Sequence, residues 1–241
     1  MKPALAIALR AAGSLAALAV VAAAGWAGYD ALARRPIDAV RFIGDAARVP
    51  TADLERLASG LRGREAREVS LQDVREAVNR LAWVRECSVR RVFPATLEVT
   101  VEAHVALARW DETRLVSVRG EVFAAEQEGE LPLFSGPEGT GAEMAAAWEG
   151  IRRAAAPLGS PVTELRLSAR RAWQAKLASG LVLDLGRADV EARLARFAAA
   201  WPQVAELAAT ATHADLRYGN GFALRGVETA GNRKAPKGGR A

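Results

Sequence analysis

The chain has 241 residues, with 33 Lys and Arg against 28 Asp and Glu, two His, one Cys and a formal charge of +5. One cysteine, Cys87, rules out an intramolecular disulfide, and His104 and His213 lack a second ligand at metal-binding spacing, so a metal site is not expected. The excess positive charge collects at the end of the chain, in Arg233, Lys234, Lys237 and Arg240, and no basic face interleaved with aromatics precedes it, which argues against nucleic-acid binding.

The first element is an uncharged run over residues 11–29. As a helix at about 1.5 Å per residue it spans roughly 28 Å, close to the hydrocarbon thickness of a bilayer. Its stronger apolar residues are Leu15, Leu18, Val20, Val21 and Trp26, and the rest is mostly Ala and Gly, so insertion is favourable by a narrow margin and partner helices are expected. The expected layout is a cytoplasmic tail at 1–10 and a transmembrane helix at 11–33. Lys2 and Arg10 are nearly balanced by Arg34 and Arg35, and the short end is placed in the cytoplasm with the remainder across the membrane. A cleaved signal peptide is the alternative, with Ala22-Ala23-Ala24 as small residues for a peptidase. About 200 residues follow, enough for two small domains with their own cores.

The next segment reads as strand, helix, helix, strand, strand. Residues 37–43 are a short apolar strand closed by Gly44 and Asp45, and Thr51 is expected to cap a helix carrying Leu54, Leu57, Ala58 and Leu61. A charged linker with Gly60, Gly63, Arg64 and Arg67 leads to Ser70, which caps a second helix with Asp73 at its positive end and Leu71, Val74, Val78 and Leu81 as its stripe. Strands are expected at 84–92 and 95–107, with Phe93-Pro94 turning between them. In the second, Leu97, Val99, Val101, Ala103, Val105 and Leu107 alternate with Thr96, Glu98, Thr100, Glu102 and His104, as in a sheet with one wet face. Two helices on one face of a three-stranded sheet make a compact α+β module.

Beyond it the signals are mostly β. A hairpin is expected from 115–118 and 121–123 around Arg119-Gly120, followed by a Gly/Pro-rich segment at 129–141. Thr140 and Glu143 read as the capping box of a helix burying Met144, Trp148 and Ile151. Strands follow at 162–168, 172–178 and 181–185. A helix with Val190, Leu194, Phe197 and Trp201 on one side is expected to stop at Pro202. Strands at 214–218 and 222–225 close the fold around Asn220-Gly221, and the Gly, Lys, Arg and Pro composition of 228–241 reads as a disordered tail.

Leu81-Ala82-Trp83-Val84, Val89-Arg90-Arg91-Val92-Phe93-Pro94 and Leu97-Glu98-Val99-Thr100-Val101-Glu102 resemble the end of a polypeptide-transport-associated (POTRA) domain. Ala172-Trp173, Gly180, Leu185-Gly186-Arg187, Arg193-Leu194-Ala195-Arg196-Phe197, Asp215-Leu216-Arg217-Tyr218 and Asn220-Gly221-Phe222-Ala223 resemble, in that order, the FtsQ/DivIB family of bacterial division proteins. The resemblance covers residues 36–224. It implies an α+β protein with a single membrane helix, a POTRA domain at 36–105 and a β-rich domain at 106–227 whose antiparallel or mixed sheet has flanking helices. It also implies a single-pass protein of the bacterial inner membrane, its large part periplasmic at the division septum, without catalysis or cofactor. In that family the implied partners are FtsB and FtsL, with FtsK, FtsW and other division proteins. The rival reading is a secreted POTRA-type chaperone of the periplasm.

The candidate site is the last strand pair. An Asn220-Gly221 tip tolerates positive φ at both central positions, ending the sheet tightly and leaving Phe222, Ala223, Leu224 and Arg225 on the edge. An open edge offers unpaired N–H and C=O groups to a partner strand. The resemblance implies that FtsB adds its strand there, that Tyr218 matches an aromatic contact of the motif, and that Arg170 matches an arginine meeting an acidic partner residue. Arg225-Gly226 departs from relatives that carry an aromatic nearby. Read from the residues alone, Tyr218 is equally a core or rim aromatic that packs the sheet, and Arg170 a solvated charge. Trp173, Phe197 and Cys87 read as core, and Arg85, Arg90 and Arg91 as a charged face of the first domain, solvated or open to a membrane partner. No Gly-x-Ser-x-Gly elbow, phosphate-binding loop or dinucleotide fingerprint is present.

Overall fold

The computed structural model describes residues 3–33, 35–208 and 210–226. The expected tail at 228–241 lies outside the described residues. Helix α1 (Pro3–Ala33) contains an apolar stretch, Gly13–Ala31, long enough to cross a membrane. The helix begins well before that stretch, so residues 3–10, expected as a separate tail, are its first turns. The chain then divides into two compact units, with the boundary between His104 and Val105.

In the first unit the elements are β1 (Ala39–Gly44), α2 (Thr51–Leu61), α3 (Leu71–Asn79), β2 (Val84–Val92) and β3 (Thr96–Ala103). Among the described residues its sheet has the order β1-β3-β2, with β1 parallel and β2 antiparallel to the central β3. Leu97, Val99 and Val101 of β3 are buried against Leu54, Ala58, Val74 and Val78 of the two helices. Cys87 is buried with them, its Sγ within 3.5 Å of the Arg75 carbonyl, and burial raises its thiol pKa. Cys87 is therefore a packing residue. Gly44 ends β1 at φ +79, where a Cβ would lie 2.5 Å from the Val101 carbonyl oxygen.

The two helix starts differ. Ser70 caps α3, its hydroxyl accepting from the Asp73 N–H at 3.3 Å. Thr51 does not cap α2, because Pro50 holds the N-cap position and Thr51 is already in the first turn. Pro50 fixes φ at −52 and sends the chain into the helix without a side-chain acceptor.

The strand expected at 95–107 is two strands. β3 ends at Ala103, and β4 (Ala106–Trp110) belongs to the second unit. The buried parity also changes, from odd residues through Ala103 to Ala108 and Trp110, leaving Val105 exposed. The odd-position pattern continues in sequence to Leu107, but β4 buries even positions because it alternates for a different sheet.

The second unit continues with β5 (Arg114–Ser117), β6 (Val122–Phe123), β7 (Leu133–Ser135), α4 (Gly141–Ala155), β8 (Val162–Leu167), β9 (Trp173–Leu177), β10 (Val182–Gly186), α5 (Val190–Ala208), β11 (His213–Asp215) and β12 (Ala223–Arg225). Among the described residues these strands form one mixed sheet in the order β12-β11-β10-β9-β8-β7-β4-β5-β6. Met144, Trp148, Ile151, Leu194 and Phe197 of α4 and α5 join Leu165, Leu167, Trp173, Leu183 and Leu185 in its core.

Two expectations fail here for physical reasons, and the sequence reading missed one strand. The Gly/Pro-rich segment contains β7, parallel to both β4 and β8, with Phe134 fully buried 5.2 Å from the Trp148 ring. The Thr140–Glu143 capping box does not form: the Thr140 hydroxyl donates to the Pro137 carbonyl at 2.7 Å, and Glu143 instead pairs with Arg171 at 2.6 Å. Helix α5 runs through Pro202 to Ala208, because Leu194, Phe197, Trp201 and Val204 keep helical spacing across the proline while Pro202 itself is exposed. Packing of that stripe outweighs one missing backbone donor.

The contrast between the helix starts is measurable by thermal or denaturant unfolding. Ser70→Ala should destabilise the first unit by about 1 kcal/mol, and Thr51→Ala by less than about 0.5 kcal/mol. Equal losses would show that the Ser70 hydroxyl is not acting as a cap.

Candidate functional site at the sheet edge

The site is assembled from the two last strands and the turn joining them. β11 lies parallel to β10 in the register Asp184↔Asp215, and β12 runs antiparallel to β11, with Ala223 opposite Asp215 and Arg225 opposite His213. Alternation then sends Ala214 and Leu224 toward the helices, where Ala214 is fully buried and Leu224 packs on the core. Asp215, Arg225 and the neighbouring Asp184 point to the opposite face.

Among the described residues β12 is an end strand with β11 as its one neighbour. Its hydrogen-bonding directions follow from one contact: the Arg225 carbonyl accepts from the Thr212 N–H at 2.9 Å, so Arg225 turns its backbone polar groups inward. Residues two apart in a strand share that direction and those between oppose it. Ala223 therefore also faces β11, and the N–H and C=O of Leu224 face the open edge. Gly226 follows at φ +76, where any Cβ would overlap the Thr212 hydroxyl.

The turn is not a two-residue Asn-Gly hairpin. Residues 216–222 connect the strands, and neither Asn220 nor Gly221 has a positive φ. The longer turn is held to α5 instead. The Arg196 guanidinium donates to the Gly219 carbonyl, and the Phe222 ring meets Phe197 edge-on at 4.9 Å. A cleft of ≈ 470 Å³ remains between α5 and the turn, lined by Arg193, Ala200, Leu216 and Asn220 among others.

The structure brings Tyr218, Asn220, Gly221, Phe222, Ala223, Leu224 and Arg225 together as this turn and edge. Tyr218 is 54% exposed, so it is not a core aromatic. Arg170 is exposed at the tip between β8 and β9, and among the described residues it makes no hydrogen bond or ion pair. That tip is at the same end of the sheet as the 216–222 turn, since Trp173 is in register with Gly186 and Asp184 with Asp215. Arg170 is on the β9 side of this end, three strands from β12, a lateral distance of about 14 Å. It forms a separate point of charge rather than part of the edge.

Sequence reasoning missed Asp215, whose side chain is 1% exposed. Arg217 grips it with both prongs, Nε to Oδ1 at 2.8 Å and Nη2 to Oδ2 at 2.6 Å, and the Arg217 N–H donates to Oδ1 at 3.1 Å. Arg225 approaches from the other strand at 3.7 Å. The Arg217 side-chain hydrogen bonds hold the Asp215 carboxyl below the ordinary aspartate range, against the opposing effect of burial. The carboxylate raises the Arg217 pKa in turn. The available signal was an Asp inside a strand, where Asp is disfavoured, two residues before an Arg on the same face. Among the described residues no cluster of His, Cys, Asp and Glu could hold a metal.

Comparison with known proteins agrees with this architecture. Residues 35–104 match the model described as POTRA domain, FtsQ-type, and residues 108–217 match cell division protein FtsQ/DivIB, C-terminal. The chain is 36% identical over 231 residues to the cell division protein FtsQ of Xanthomonas campestris, covering 93% of this chain and 82% of the relative. It is 38% identical over 221 residues to the FtsQ of Burkholderia pseudomallei, with 86% of each chain covered. The FtsQ of Nitrosospira multiformis is 40% identical over 160 residues, 66% of this chain and 68% of the relative.

A carboxylate with a depressed pKa stabilises the fold above its unfolded value, near pH 4, and that contribution is lost as pH falls through the lower folded value. Asp215→Asn should cost about 1–2 kcal/mol at pH 7, discounted because Arg217 is half exposed. The gap between wild type and variant should narrow below about pH 4, as the wild-type carboxylate itself protonates. Unfolding curves at pH 7 and pH 3 check this, and an unchanged gap would show that the charge on Asp215 does not hold the strand.

Proposed function

Because the chain belongs to the FtsQ/DivIB family of cell-division proteins, we propose that it is a non-catalytic scaffold of the division machinery that captures the FtsB–FtsL complex on β12. In this reading α1 anchors the chain once in the bacterial inner membrane, with the amino terminus cytoplasmic and both units periplasmic at the septum. The first unit contributes recruitment and contacts to FtsK, the second holds FtsB, and FtsW and other division proteins are further partners of the chain.

The observation that supports FtsB capture is the open β12 edge, with the Leu224 N–H and C=O directed away from β11. A strand laid beside it would satisfy both groups and gain main-chain bonds, while the exposed Tyr218 ring supplies area for a side-chain contact. Arg170, at the same end of the sheet, supplies a charge unneutralised among the described residues for an acidic partner residue. Affinity then comes from the backbone and specificity from the flanking side chains. No step of bond chemistry is required.

The test separates donor from side chain. Leu224→Pro removes the outward donor and leaves the bonds to β11 in place, so capture of FtsB by the full-length chain should fall at least about tenfold. Leu224→Ala keeps the donor and trims the packing, and should lose far less. Ala223→Pro breaks the internal ladder and should lower stability as well as capture. Tyr218→Ala should weaken capture by about fivefold without affecting folding. Undiminished co-purification of FtsB with the Leu224→Pro protein would refute docking at this edge.

A further inference from the structure

The segment leaving α1 is stitched into the first unit almost at once. Helix α1 ends at Ala33, and the Arg35 carbonyl already accepts from the Ala66 N–H at 3.0 Å. Pro36 bridges to Glu65, the Ile37 N–H donates to the Arg64 carbonyl at 2.9 Å, and the Gly63 N–H donates back to the Ile37 carbonyl at 3.0 Å. Two residues of extended chain reach no more than about 7 Å, so the loop at 62–68 is confined near the end of the membrane-length helix.

The hairpin between β2 and β3 is brought to the same place. The Asp38 N–H donates to the Ala95 carbonyl at 2.9 Å, and β1 and β3 are parallel in the register Ala39↔Thr96. Residues 93–95 form the turn, with Val92 opposite Thr96, so Phe93 stands at the hairpin tip beyond the Ala39 end of β1. Arg91 closes the patch, its guanidinium donating to the Val69 carbonyl at 2.6 Å. Phe93 is 76% exposed at the hairpin tip, a large aromatic with no place in the core.

The charge of this end has one sign in excess. Arg35, Arg62, Arg64, Arg67 and Arg91 stand against Asp38, Glu65 and Glu68, and Glu65 is taken up by Arg67 at 2.9 Å. Arg35, Arg62 and Arg64 are exposed. Arginines within a side chain's length of a bilayer are attracted to anionic headgroups, and an exposed aromatic beside them suits the headgroup layer.

We propose that this end of the first unit, the 62–68 loop with the Phe93 tip, is a membrane-contact surface that binds anionic phospholipid and seats the domain on the bilayer. The proposal rests on the reading of α1 as a membrane span. Seating fixes the height of the first unit above the bilayer, which a free tether would leave variable.

A photo-crosslinking residue, benzoylphenylalanine, placed at position 93 of the full-length chain tests this in vesicles of phosphatidylcholine and phosphatidylglycerol at about 3:1. The control position is Asn79, exposed at the opposite end of the same sheet, where α3 leads into β2. Lipid adducts at 93 should exceed those at 79 at least fivefold. They should fall at least threefold in phosphatidylcholine alone and in the Arg62→Gln, Arg64→Gln, Arg67→Gln variant, with the circular dichroism spectrum unchanged. Equal adducts at the two positions, or a yield at 93 indifferent to lipid charge and to the arginines, would overturn the proposal. Carbonate washing distinguishes the two levels: a chain stripped from the vesicles refutes the span itself and this surface with it, whereas a retained chain without adducts at 93 refutes the surface alone.

Discussion

The Asp215 carboxylate, buried one strand in from the edge and held between Arg217 and Arg225, is the interaction on which the end of the large sheet depends. β11 and β12 are three residues each, too short to be held by ladder bonds alone. Arg217 closes the end of β11 onto its own strand, and Arg225 carries the same charge across to β12. The inner face adds Leu224 against the core and Phe222 against Phe197. An edge strand pinned on both faces keeps its outer backbone groups in a fixed line, which is what a strand-adding partner needs and what a frayed end would not supply.

The rest of the second unit supports that edge from behind. Helix α5 packs its apolar stripe on the sheet and also holds the 216–222 turn, through Arg196 on the Gly219 carbonyl and Phe197 on Phe222. The apolar stripe that carries α5 past Pro202 and the ring that fixes the approach to β12 thus belong to one helix. The first unit meets a different constraint. Its β1 begins a few residues after the membrane-length helix, and the backbone bonds at 35–38 leave little slack between them.

Much of the fold was legible because periodicity and local chemistry agreed. The stripes of α3 and α4, the alternation of β2 and β3, the Ser70 cap and the β5–β6 hairpin are each determined by residues close in sequence. Failures came where a distant partner decided the outcome. β7 is three residues between Pro132 and Gly136, with no period to read, and is a strand because β4 and β8 stand on either side of it. Thr140 and Glu143 have the spacing of a capping box, but Pro137 and Arg171 offered them other partners. At the site, the edge position was anticipated, while the expected Asn220-Gly221 tip is replaced by a longer turn at 216–222 and the role of Asp215 was missed.

By itself the sequence determined the membrane-length helix, the two successive α+β units, the absence of a disulfide and the family, because composition, apolar period and motif order are properties of the chain alone. Only the tertiary structure decided that the strand after Phe93-Pro94 breaks at His104, that Pro202 lies inside a helix, and that Leu224 turns its backbone outward at the end of the sheet. Those outcomes depend on which segments become neighbours in space, and the free energy of that packing exceeds the local preferences of a proline, a glycine or an alternating run.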